Sequence, residues 1–89
     1  MTKKDIREKL KGIAEYSGDF FGCDSYIIRK PYSTIMASAE EGEITVSYQA
    51  DDADSLREKL IKALGEPDME WPSPLGTKVC YMLFKSDGA

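Results

Sequence analysis

Sixteen carboxylates, two cysteines and no histidine are the reactive side chains of this 89-residue chain. The carboxylates crowd two places. Glu40, Glu41 and Glu43 fall at a predicted hairpin tip, and Asp51, Asp52 and Asp54 at a predicted helix start. The strand between them, at ~3.3 Å per residue, sets the two groups roughly 20–25 Å apart, too far to share a metal ion. The aspartate run also lacks the glycine and the distal glutamate of a calcium loop. Turn and cap duty accounts for both groups, so no metal site is expected.

The absent histidine excludes serine or cysteine nucleophiles that need an imidazole base, and it excludes His-containing zinc sites. Two cysteines cannot build a Cys₄ site. Cys80 lies in an apolar stretch and reads as a small buried hydrophobe, whereas Cys23 lies in a loop-like stretch and is the more reactive candidate. Both are expected to be reduced. The glycines are scattered, with no phosphate-cradling motif. No catalytic residue and no cofactor is therefore assigned, and the chain is read as a non-enzyme.

These residues need elements to place them. A first helix is predicted over residues 3–16, capped by Thr2 with Asp5 three places on, with Ile6, Leu10, Ile13 and Ala14 on one face. Gly12 is read as a weak interior residue of that helix, and Ser17-Gly18-Asp19 as its end. An aromatic loop, Phe20-Phe21-Gly22-Cys23-Asp24, leads to a strand over 25–30 stopped by Pro31. Strands over 33–39 and 43–49 flank a turn at Gly42, the second showing strict alternation of Ile44, Val46 and Tyr48 with Thr45 and Ser47. A second helix over 53–64 starts at Asp52 or Ser55, carries Leu56, Leu60, Ala63 and Leu64, and stops at Gly65 and Pro67. A proline-rich loop over 66–76 precedes a last strand over 77–85. In that strand Cys80, Met82 and Phe84 are taken as the outer face.

The expected fold class is thus α+β: a two-layer sandwich with a four-stranded, mostly antiparallel sheet, both helices on one face, and the order α-β-β-β-α-β. Residues 1–89 form a single domain. The third strand, second helix and last strand are expected to make a right-handed crossover. Ile6-Arg7-Glu8-Lys9-Leu10 echoes Leu56-Arg57-Glu58-Lys59-Leu60. Such runs are common in amphipathic helices, and nothing is built on the echo here. No apolar run nears the ~18–20 residues of a membrane span, and no apolar stretch follows the first lysines, so a cytoplasmic location is expected.

Charge is uneven. Residues 1–30 carry +2, residues 31–70 carry −7 and residues 71–89 carry +1, for a net −4. The acidic middle argues against duplex nucleic acid, whose phosphates need a positive field. It suits a protein partner with a basic surface. Phe20 and Phe21 in one loop, and Trp71 among Asp68 and Glu70 in the other, are candidate anchors with a polar rim. In a chain this small, covering the core edge is the expected use of Trp71, ahead of anchoring a partner. In size, acidity and lack of catalytic residues the chain resembles small inhibitors in general: immunity proteins, antitoxins and phage-encoded inhibitors of host defence. The leading expectation is a non-catalytic inhibitor or regulator that binds through Phe20, Phe21, Glu40, Glu41, Glu43, Asp68, Glu70 and Trp71. The alternative is a small-ligand or single-stranded nucleic-acid-binding domain, using tyrosines on an open sheet face. A third reading is a homodimer, joined through Cys80, Met82 and Phe84.

Overall fold

The computed structural model describes residues 1–30, 32–73 and 78–85. The predicted stop at Pro31, the Pro74-Leu75-Gly76 part of the predicted loop and the predicted strand start at Thr77 lie outside them. The elements are α1 (Lys3–Lys9), β1 (Glu15–Phe20), β2 (Cys23–Arg29), β3 (Tyr32–Glu40), β4 (Glu43–Ala50), α2 (Ala53–Leu64), β5 (Met69–Pro72) and β6 (Val79–Lys85). The strands form one six-stranded antiparallel sheet in the order β1-β2-β3-β4-β6-β5. The four-stranded expectation is corrected by two added edge strands, β1 and β5. The crossover expectation falls with it. β6 runs antiparallel to β4, because the chain returns through α2 and lays down β5 before β6.

Two local causes explain the added strands. α1 begins as expected, with Thr2 and Asp5 in a reciprocal capping box. It ends at Lys9 because Gly12 adopts φ 83°, a left-handed conformation that terminates a helix. Glu15 and Tyr16 are thereby released into a strand. β1 then pairs with β2 around a bulge between Tyr16 and Gly18. At the other edge, β5 has four residues and ends in Pro72, which a short edge strand tolerates. The predicted aromatic loop is the two-residue hairpin turn Phe21-Gly22, with φ of 52° and 82°.

The core lies between one sheet face and the two helices. Ile6 and Leu10 from α1, and Leu56, Leu60 and Leu64 from α2, pack on Tyr26, Ile35, Ala37, Ile44, Val46, Tyr48, Met82 and Phe84. Cys80, Met82 and Phe84 therefore face the helices, a correction to their expected outward position. With both faces of β6 apolar, alternation alone could not choose between them. Asp52 caps α2 by accepting from the Ser55 N–H at 3.1 Å, and Gly65 follows its last turn at φ 95°. Among the described residues no helix is long and apolar enough to cross a membrane.

Candidate protein-binding site

The antiparallel order sends the β1–β2 turn and the β3–β4 turn out of the same end of the sheet, hereafter the tip end. Lys85, paired with Glu43, places the end of β6 there, and Asp68 joins it by accepting from the Lys85 N–H at 2.7 Å. Phe20, Phe21, Glu40, Glu41, Glu43 and Asp68 are thus brought to one end although they come from three connections. Asp51, Asp52 and Asp54 lie at the opposite end, where α2 starts.

The tip end is built from strained and tied parts. Phe21 is fully exposed and holds a left-handed φ of 52°, a position that asparagine, aspartate or glycine fills at less cost. The turn is braced by the Asp19 carboxylate, which accepts from the Gly22 N–H at 3.0 Å. It is also braced by the Lys3 ammonium, which donates to the Gly22 carbonyl at 2.9 Å. Phe20 is half-exposed. Glu40 and Glu43 sit directly opposite each other, an unfavourable like-charge pair, with Glu41 exposed between them. Lys85 beside Glu43 offsets part of this charge.

Glu70 and Trp71 lie elsewhere, along edge strand β5. Glu70 takes two hydrogen bonds from the Arg57 guanidinium, at 2.6 and 2.8 Å, and these hold its carboxyl below the usual carboxylate range. Trp71 is half-buried and stacks on Tyr81, with ring centroids 5.5 Å apart and planes 11° from parallel.

The helix-free face of the sheet was not foreseen as a unit. Its rows run Phe20, Cys23, Ser38, Thr45, Leu83, Met69; then Gly18, Ser25, Met36, Ser47, Tyr81, Trp71; then Ile27, Thr34, Gln49, Val79. No charged side chain stands on this face in the interior of β2, β3, β4, β6 or β5, in a chain that is 31% charged. Glu15, Arg29, Glu40, Glu43 and Lys85 mark only its corners and ends. The signal was present in the sequence as uncharged alternate positions, Thr34-Met36-Ser38 and Thr45-Ser47-Gln49. Of the tyrosines expected there, Tyr26 and Tyr48 turn inward, and burial pushes the Tyr48 phenol up to about 12. Tyr32 and Tyr81 face out.

A buried polar cluster was also not foreseen. Asp24 is 4% exposed and faces α1, with Arg7 at 3.5 Å and Lys3 at 4.0 Å. Arg7 also lies 3.8 Å over the Tyr16 ring. Among the described residues no three potential ligands converge to hold a metal ion. Cys23 and Cys80 are free, on opposite faces of the sheet. No family model, no curated protein and no solved structure matches the chain.

Proposed function

We propose that this chain is a non-catalytic protein-binding module, an inhibitor or regulator working in the cytoplasm, that presents its tip end to a basic surface of a partner protein. The observation that carries this is Phe21. A phenylalanine that is fully exposed and held at positive φ costs backbone energy of ~1–3 kcal/mol and covers no core. Its neighbours add to the case, because Glu40 and Glu43 keep like charges opposite one another where a lysine would relieve them. Acidic groups beside an anchored aromatic are what a basic partner requires: the carboxylates speed encounter and the ring holds the complex. The braces on Gly22 fix the turn backbone that carries the ring before binding, which lowers the ordering cost.

The test separates anchor from scaffold. The tagged chain is used to capture its partner from native lysate at low and high salt, and binding is then measured with the isolated partner. Phe21→Asn should leave stability unchanged or slightly raised, because asparagine accepts the turn, while weakening the complex at least tenfold. A combined Glu40, Glu41 and Glu43→Lys variant should mainly slow association. A partner that binds both variants as tightly as the parent would refute the reading.

A further inference from the structure

We propose that the outer face of the sheet is a dimer interface, and that its occupant is a second copy of this chain. This surface is separate from the tip-end reading and stands without it. A sheet face left to water ordinarily carries charges at its outward positions, and this one carries none across the interior of five strands. It has the composition of an interface core, with tryptophan, tyrosine and methionine present and charge confined to the ends.

The choice of a second copy rests on shape. Leu83, Tyr81 and Trp71 on the β6–β5 side stand opposite the smaller Cys23, Ser25 and Gly18 on the β2–β1 side, with β3 and β4 between them. A two-fold axis parallel to the strands between β3 and β4 exchanges the two sides and keeps each row in place. It sets Trp71 of one copy over Gly18 of the other, Tyr81 over Ser25, and Met36 over Ser47. Large groups then meet small ones along the middle row and where Leu83 lies over Cys23, while Phe20 meets Met69 and Ile27 meets Val79 as apolar pairs; such matching is what an isologous interface requires. The ~30° crossing of aligned sheets shifts the outermost pairs but preserves this match near the axis. An axis across the strands would instead stack Tyr81 on Tyr81. The half-exposed Phe20 and Met69, at the two ends of one row, would be covered together.

The area suffices. Six strands at ~4.8 Å spacing and about 20 Å of strand length project roughly 500 Å² per copy. Two copies give about 1,000 Å² before side-chain relief is counted, the size at which specific interfaces begin.

Sedimentation equilibrium across a concentration series tests this. A mass approaching twice 10.0 kDa is expected as concentration rises. Ser47→Arg, which puts a charge beside the axis at a half-buried position of the helix-free face, should weaken dimerisation at least tenfold, with the circular dichroism spectrum of the parent. Glu41→Lys should leave the mass unchanged. Leu83→Cys in a Cys80→Ser background tests the axis, because position 83 of one copy meets Cys23 of the other. Oxidation should give an intermolecular cross-link. A folded parent that remains monomeric to about 1 mM, or a dimer that resists Ser47→Arg or forms no cross-link, overturns the proposal.

Discussion

The α1–β1–β2 unit and the α2–β5–β6 unit use the same parts in opposite ways. Each starts with a helix carrying Arg-Glu-Lys-Leu, and each continues into a hairpin whose first strand is a sheet edge. In each, the helix arginine reaches a hairpin carboxylate: Arg7 to Asp24 and Arg57 to Glu70. In each, two aromatic residues face one another across the strands: Tyr16 with Tyr26, edge to face at 5.6 Å, and Trp71 with Tyr81, stacked. The difference is the face. The first pair points at the helix, and Tyr26 is among the most buried side chains of the core, whereas the second points away from the helices onto the open face. One unit turns its aromatic pair toward the helix layer, with Tyr26 in the core and Tyr16 at its rim; the other lays its pair on the helix-free face, half-buried.

Substitutions can break or sharpen that contrast. The largest effect is expected from Tyr26→Ala, which empties a fully buried site and should cost ~3–5 kcal/mol by urea unfolding. That is a large share of the roughly 5–13 kcal/mol available to a domain of this size. Trp71→Ala should cost only ~1 kcal/mol, mostly lost stacking, with the fold intact. Equal losses at the two positions would erase the distinction.

A smaller effect concerns acid. Glu70 has its folded pKa lowered by Arg57, so the pair adds stability above the ordinary carboxylate range and loses it as pH falls through the lowered value. Arg57→Gln should therefore make the fall in melting temperature between pH 6 and pH 3, about the span of carboxylate titration, slightly shallower. An unchanged slope would show the pair to be idle. The smallest effect is expected from Tyr26→Phe. The Tyr26 hydroxyl is buried with no well-aligned hydrogen-bond partner among the described residues, and Arg7 lies beside it as a weak donor and a positive charge. Deleting it should be neutral or gain up to about 1 kcal/mol. A loss above that would mean the hydroxyl is bonded.

How far the sequence could be read depended on whether a signal was local. α2 was legible in its extent, with its cap left open between Asp52 and Ser55, because the cap candidates, the Leu56-Leu60-Leu64 stripe and Gly65 each act within a turn or two. β4 was legible from its alternation. β1 was not. Glu15-Tyr16-Ser17-Gly18-Asp19-Phe20 has poor strand propensity, and it is a strand because β2 offers an unpaired edge. β5 was hidden by its proline, which reads as loop anywhere but at the end of an edge. Of the candidate residues, the tip-end group was picked out from composition, but its convergence is a property of strand order. Trp71 was singled out as a candidate anchor or core-edge cover, but its place on the helix-free face depended on a strand that the sequence concealed.

The flaws at the sheet edges bear on how the protein behaves when crowded. β1 carries a bulge where a neighbour would need regular pairing, with Gly18 at φ 129°, and β5 offers four residues ending in a proline that has no N–H to give. Neither margin presents a regular ladder for another chain to extend. Growth of the sheet by lateral addition, the route to fibrils, is therefore discouraged at both margins.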